Sequence, residues 1–412
     1  MGLGGLRTPA LCRLTPRYVR ATRPLTYSQD IATRGGVEGR RHVAPFCAMP
    51  ELRVDPLSGH KTIVAGERSR RPGGAPSCTP AEPIDLARDP FLEGHEDQTP
   101  PELYALRPGG GPPNSPGWTV RVVPNLYPAL TPPPARDGAG GTAAGSGGAA
   151  ALQPRDGGQG FAADPERSAG PQRLSGSPSA DGLFTALPAT GAHEVIVNGP
   201  QPVLSLADLA VEQAAAAIEV WRERMRAHPD SACLQLIVNE RREAGASLPH
   251  THAQLYALDF VPADVARERE RFGAYATRTM GQNLLEDLLA EEVRLRERLV
   301  AIDDDAVLLA PYGSRAPFQL MLAPRRPRAR FQDDGPTGAA LLHDGLRRLA
   351  RHLGCNPPLN LWVRTAPRGA EHFCWRIDVM PRLTHLAGLE LSTGVNLNIV
   401  APEDAAAWLR AA

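Results

Sequence analysis

The sequence predicts an α+β protein built from two similar halves. Short β-rich runs occur in pairs with helical segments between them, and this alternation is seen both before and after a charged stretch at about residues 262–302. Two long segments, 1–48 and 131–182, match neither type of element. Residues 1–48 are arginine-rich and acid-poor, with no periodic pattern, and read as an unstructured extension rather than a transit peptide. The stretch "TPPPARDGAGGTAAGSGGAAALQPRDGGQG" and its continuation to 182 has almost no large apolar residues, so burial cannot offset its ordering entropy. It reads as a disordered insertion within a domain, because strand-like sequence flanks it on both sides.

The ordered elements follow in turn. "WTVRVVPNLYPAL" (118–130) opens with strand alternation, and "HEVIVNGP" (193–200) is a β-rich run stopped by Gly-Pro. "SLADLAVEQAAAAIEVWRERMRAH" (205–228) has apolar residues at helical spacing, with Ser205 placed to cap it. "ACLQLIVNE" (232–240) predicts a buried strand, and "HTHAQLYAL" a second strand after a Gly-Ala-Ser turn. A long charged helix or helix pair follows from Pro262 to about Ile302. Further strands are expected at 306–311, 317–323, 359–364 and 373–380, with a helix at 338–354. The domain reading is therefore an extension at 1–48, a catalytic domain at 49–262 carrying the 131–182 insertion, a helical connector at 263–302 and a second domain at 303–412.

Bulk properties narrow the function. Lys+Arg and Asp+Glu balance at 45 each, so no global field points to nucleic acid or an acidic membrane. No apolar run reaches the roughly 18–20 residues that span a bilayer, and a soluble, cytoplasmic protein is expected. The six cysteines are scattered, with no C-x-x-C pair, which argues for a reducing compartment and against a disulfide scaffold. Lys61 is the only lysine, so the arginine richness reflects composition rather than guanidinium chemistry.

The chemistry concentrates in "EAGASLPHTHAQLYAL" (243–258). On a strand, His250, His252 and Gln254 share one face. Asn239, Gly245 and Ser247 stand beside them at a turn able to bring donors to an anion.

"N-x₄-AGASLPHTHAQ" resembles the active-site strand of the galactose-1-phosphate uridylyltransferase family, the transferase branch of the histidine-triad superfamily. "RVDPLSGHKTIVAGERSRRP", "EGHEDQTPPEL", "RVVPNLYPAL", "GAHEVIVNGP" and "FCWRIDVMPRLTHLAGLELSTGVNLN" resemble further family segments in the same order. The resemblance implies two histidine-triad-like domains, each an antiparallel sheet backed by helices. It implies that His252 is the nucleophile and forms a covalent uridylyl-histidine, with Gln254 holding a phosphoryl oxygen where the hydrolase branches carry a third histidine. Arg68, Arg71, Asn239 and Ser247 correspond to phosphate contacts, Asn125 to a nucleoside contact and Glu390 to a reader of sugar hydroxyls. A homodimer with shared sites is implied as well.

The family's structural zinc uses a C-x-x-C pair, a further histidine and the first histidine of the motif. Here Asp89, Leu92 and Pro202 stand at the first three positions, and only His250 remains. The family's second metal site has H-x-H where this chain has Cys374 and Arg376. Both metals are expected to be absent, with His250 orienting the strand through hydrogen bonds. Leu389 replaces the tyrosine that usually precedes the sugar-reading glutamate, which opens the identity of the sugar. The leading expectation is exchange of UMP between UDP-glucose and a hexose 1-phosphate. The alternatives are a nucleoside diphosphosugar phosphorylase using inorganic phosphate, and a non-catalytic nucleotide-binding paralogue.

Overall fold

A ten-stranded sheet organises the computed structural model, which describes residues 49–71, 76–132 and 183–412. The expected extension at 1–48, and all but the first two residues of the expected insertion, lie outside the described residues. Chain order gives β1 (Glu51–Val54), β2 (Lys61–Val64), β3 (Tyr104–Leu106), β4 (Val120–Pro124), β5 (Gly191–Val197), α1 (Val211–Arg226), β6 (Cys233–Glu240) and β7 (His252–Leu258). There follow α2 (Ala263–Thr279), α3 (Leu284–Leu295), β8 (Leu299–Ile302), β9 (Ala306–Leu309), β10 (Leu320–Pro324), α4 (Ala339–Leu353), β11 (Leu359–Arg364) and β12 (Arg376–Pro381). The chain ends with α5 (Gly388–Thr393), β13 (Asn396–Asn398) and α6 (Pro402–Ala411).

The large sheet runs β3-β4-β5-β7-β6-β11-β12-β10-β9-β8, antiparallel throughout. Read outward from the β6–β11 seam, the first half is β6-β7-β5-β4-β3 and the second is β11-β12-β10-β9-β8. These are the same topology, and each half inserts one helix at the same point, α1 between β5 and β6 and α4 between β10 and β11. The two predicted halves therefore share one continuous sheet. β8 lies inside the stretch read as helical connector, so the second half's sheet begins at Leu299. A separate three-stranded sheet, β1-β2-β13, has β13 parallel to β2.

Alternation sorts the strand residues onto two faces. Ala253, Leu255 and Ala257 of β7, Leu234, Leu236 and Val238 of β6, and Leu320 and Leu322 of β10 enter the main core against α1, α4 and α6. Met321 and Ala323 turn the other way, into a second cluster with Phe272 of α2 and Leu285 and Leu289 of α3. His252 and Gln254 therefore point away from α1 and α4, on the face where the site is built. Ser205 caps a short 3₁₀ turn at Leu206–Asp208, through Ala207 N–H, and not α1 itself, which starts at Val211.

One observation departs from the sequence reading. Cys78 and Cys355, read as reduced, are joined as a disulfide with their Cα atoms 6.1 Å apart, within the span a disulfide bridges. Chain separation of 277 residues made this pairing invisible to spacing rules. No helix among the described residues is long and apolar enough to cross a membrane.

Glu240, at the end of β6, is buried. One carboxylate oxygen accepts from Leu206 N–H at 2.7 Å, and the other has no hydrogen-bond partner among the described residues. Burial pushes its carboxyl up to about 7, against the opposing hydrogen bonds from Ser205 and Leu206. A carboxyl raised in the folded state is most compatible with folding below its unfolded pKa and destabilises progressively as pH rises toward the folded value. Glu240→Gln should therefore gain about 2–3 kcal/mol relative to the parent between pH 4 and pH 8. Urea unfolding at both pH values measures this, and a pH-independent difference would show that the carboxyl does not titrate as argued.

Candidate active site

β5, β7 and β6 lie side by side, and their site-facing residues converge. His252 opposes Val197, Gln254 opposes Val195, and Tyr256 opposes His193 across the β5–β7 pair. On the other side, Gln254 opposes Ile237 of β6.

His252 is buried at the start of β7. Its Nδ1 lies 2.8 Å from the carbonyl oxygen of His250. A carbonyl only accepts, so Nδ1 carries the proton and Nε2 carries the lone pair. Burial holds the imidazole below its ordinary range; the carbonyl of His250 opposes this shift, and the charge of the His250 ring adds to it. The ring is thus kept neutral with a defined nucleophilic nitrogen. Phe91 packs edge-on against it with ring centroids 5.2 Å apart.

His250 has a different role. Its Nδ1 lies 2.7 Å from Asp89 Oδ2 and its Nε2 lies 2.8 Å from the carbonyl oxygen of Gly199. Both partners are acceptors, so both ring nitrogens donate. Asp89 is itself buried, and its second oxygen accepts Phe91 N–H at 3.0 Å. This pair clamps the 89–91 segment and the loop after β5 to the start of β7.

The residues do not fit the zinc of the resembling family. Neither nitrogen of His250 has a lone pair to give, Asp89 is committed to His250 and Phe91, and Leu92 and Pro202 have no ligand atom on their side chains. The pattern in the second half also opposes a metal. β12 corresponds to β7 in the repeat, and at its alternating positions Arg376 donates to both Glu268 oxygens at 3.0 Å and to Asp378 at 2.9 Å. Cys374 is buried in the apolar cluster with Phe373. Among the described residues no group of three or more His, Cys, Asp or Glu could hold a metal ion.

The remaining expected site residues fall into two sets. Asn239 sits on the same sheet face as His252, its side-chain oxygen accepting from Asn360 at 2.8 Å. Asn125 follows β4; its Oδ1 accepts Tyr127 N–H at 2.8 Å and its Nδ2 lies 3.1 Å from His193 Nε2. Ser247 is exposed on the turn before the motif. The N–H groups of Ala244, Gly245 and Ala246 in that turn already donate to Arg241 and Arg242 carbonyls, so they are not the anion donors the sequence suggested. Arg68 and Arg71 are exposed on and just after a short 3₁₀ helix, Gly66–Arg70. Glu390 lies on α5, where its carboxylate accepts Ala387 N–H at 3.0 Å. Among the described residues no hydrogen bond or ion pair joins Arg68, Arg71 or Glu390 to His252.

Sequence reading missed two site residues, His193 and Tyr256. Their rings stack with centroids 4.0 Å apart and an interplanar angle of 24°. The alternation of "HEVIV" marks His193, Val195 and Val197 as one face, but only the β5–β7 register shows that this face meets Gln254.

Residues 165–262 match the model of the galactose-1-phosphate uridyl transferase N-terminal domain. An Arabidopsis thaliana protein named ADP-glucose phosphorylase is 25% identical over 401 residues, covering 94% of this chain and 99% of that protein. A galactose-1-phosphate uridylyltransferase of Cryptococcus neoformans is 25% identical, covering 87% of this chain and 89% of that protein. The chain is similar to the galactose-1-phosphate uridylyltransferase family over residues 165–262 and, at lower identity, along most of its length. Solved structures agree on the fold. An ADP-glucose phosphorylase from Arabidopsis thaliana with bound ADP-glucose superposes with a TM-score of 0.64 at 23% identity, covering 88% of this chain and 99% of that one. A structure titled uridylyltransferase gives 0.60 at 22% identity, covering 88% and 98%. Set against the motif of the resembling family, the chain keeps the histidine pair and the glutamine, with Asp89, Leu92 and Pro202 where that family's other zinc ligands stand.

Proposed function

We propose that this chain is a nucleoside diphosphosugar phosphorylase working through a nucleotidyl-His252 intermediate. The observation that carries the proposal is the His252 ring, neutral, with Nδ1–H tied to the His250 carbonyl and Nε2 left as the lone-pair nitrogen. Nε2 attacks the α-phosphorus and forms a P–N bond, the bond from that phosphorus to the bridging oxygen breaks, and a sugar 1-phosphate leaves. An oxygen of inorganic phosphate then attacks the same phosphorus. The P–N bond breaks, its electron pair returns to Nε2, and a nucleoside diphosphate is released. While it lasts, the adduct keeps a cationic ring and so remains a good donor. The acceptor reading is supported by the Arabidopsis relative, named ADP-glucose phosphorylase and aligned along almost all of both chains.

Transfer to a hexose 1-phosphate uses the same nucleophile and is the second reading, supported by the named uridylyltransferases. Leu389, in place of the expected tyrosine beside Glu390, weighs against a galactose-specific site. Arg68, Arg71, Asn125, Asn239, Ser247 and Glu390 remain the proposed substrate contacts. Glu390 would reach the sugar from the other protomer of a homodimer; the exposed Leu386, Leu389 and Leu391 suit its segment to such a contact.

The test supplies ADP-glucose or UDP-glucose together with inorganic phosphate or galactose 1-phosphate and resolves the products. Nucleoside diphosphate formed only with inorganic phosphate supports the phosphorylase. A new UDP-hexose formed only with galactose 1-phosphate would overturn it in favour of the transferase.

We further propose that the enzyme works without zinc. Elemental analysis should find well below one zinc per chain, with activity unchanged by a chelator. One tightly held zinc per chain would show that other residues supply the ligands.

A further inference from the structure

We infer that His193 is a positioning residue that aims the amide of Gln254, an inference that rests on the nucleotidyl-transfer reading. Gln254 acts only if its NH₂ end faces the phosphoryl group. An unrestrained glutamine amide turns over readily, because its two ends have nearly the same shape. Two donors remove that freedom here. His193 Nε2 and the Tyr256 hydroxyl each lie 3.1 Å from Gln254 Oε1. With the carbonyl end held from two sides, the NH₂ end is turned away from β5 and toward the substrate.

The tautomer of His193 follows from its other side. Ala129 N–H points at Nδ1 from 3.3 Å, so Nδ1 accepts and the ring proton sits on Nε2. Nε2 lies equally close to Asn125 Nδ2, at 3.1 Å, but a protonated Nε2 can serve only an acceptor, and Gln254 Oε1 is that acceptor. The Asn125 amide is thereby left to a ligand. The ring itself is fixed by stacking on Tyr256, its direct cross-strand partner. Burial holds His193 below its ordinary imidazole range, which keeps the ring neutral and the tautomer defined. The loop carrying Asn125, Tyr127 and Ala129 is thus coupled to the catalytic strand through one imidazole.

The mechanism makes a specific demand on this network. A misaimed Gln254 would stabilise transfer to phosphate less well, whereas water, needing no such guidance, would still reach the adduct. His193→Phe keeps the stacked ring and removes the donor. It should slow adduct formation and phosphate-dependent release about tenfold, the scale of one lost hydrogen bond in the transition state. It should also raise the share of adduct lost to water, with little change in the KM for the nucleoside diphosphosugar. His193→Gln, which can donate again, should recover part of the transfer-to-hydrolysis ratio. Tyr256→Phe, removing the second donor, should shift the ratio in the same direction and serves if His193→Phe does not fold. Folded His193→Phe or Tyr256→Phe with the parent's rates and ratio would overturn the inference. If the parent itself forms no adduct, the proposed function fails, and long-range ¹H–¹⁵N NMR of the His193 ring decides the network by itself. A proton on Nε2 supports it, and a proton on Nδ1 overturns it.

Discussion

Replacing His252 with alanine is expected to abolish both the covalent nucleotide adduct and net turnover, a loss on the order of 10³-fold or more. The fold should survive. The apolar face of β7, Ala253, Leu255 and Ala257, stays in the main core, and the His250–Asp89 contact does not pass through the 252 side chain. Denaturing electrophoresis after incubation with radiolabelled donor reads the adduct directly, and circular dichroism checks the fold. The pH profile adds a second constraint. Because burial lowers the His252 imidazole below its ordinary range, the ring remains neutral as pH falls through that range, and protonation removes the nucleophile only at lower pH. Adduct formation should therefore hold its plateau to a pH below 6.5, the ordinary imidazole value. The donor's diphosphate diester has no proton to gain or lose there, so the acid limb belongs to the enzyme. Persistent labelling of His252→Ala, at the parent's rate, would remove His252 as nucleophile.

The motif was legible in the sequence because its chemistry is local. His250, His252 and Gln254 lie within five residues, and strand periodicity alone puts them on one face. The two halves were legible for the same reason, through the order of strands and helices. Their fusion into one sheet was not, because the seam pairs β6 with β11 and joins Asn239 to Asn360, residues brought together only by the tertiary fold. β3, β8 and β13 span three or four residues each, too short for a periodic signal. His193 escaped because its meaning depends on register: it is one imidazole in an apolar strand until β5 is laid against β7. The Cys78–Cys355 pair escaped for a similar reason. Arg376 shows the converse. The sequence marked it as a non-ligand where the resembling family has its second metal site, and in the structure its guanidinium lies between Glu268 and Asp378.

Asp89 carries the second large expectation. At a position where the resembling family has a zinc cysteine, this chain has a carboxylate that reaches the first histidine of the motif directly. Both side chains are fully out of solvent. Asp89→Ala leaves His250 Nδ1–H buried with no acceptor, and removing one member of a buried ion pair costs about 3–5 kcal/mol. The lost Phe91 N–H contact adds to the strain on the segment that packs against His252. Asp89→Asn separates charge from shape. An asparagine can keep its oxygen on Phe91 N–H and turn its NH₂ toward His250 Nδ1, provided that the imidazole releases that proton and accepts. The ring still donates to Gly199 through Nε2, so the clamp survives as a neutral pair at a cost nearer 1–2 kcal/mol. The charge of the His250 ring helps to hold the His252 imidazole down. Asp89→Asn also removes the Asp89 charge, which raises the His252 imidazole but acts more weakly than the His250 charge, so the neutralised His250 should move the acid limb of adduct formation modestly to higher pH while the fold is retained. Chemical unfolding of both variants, with the pH profile of Asp89→Asn, measures the two effects separately. A fully stable Asp89→Ala protein would mean that the strand is held by something other than this pair, and an unmoved acid limb in Asp89→Asn would mean that His250 does not act on His252 through its charge.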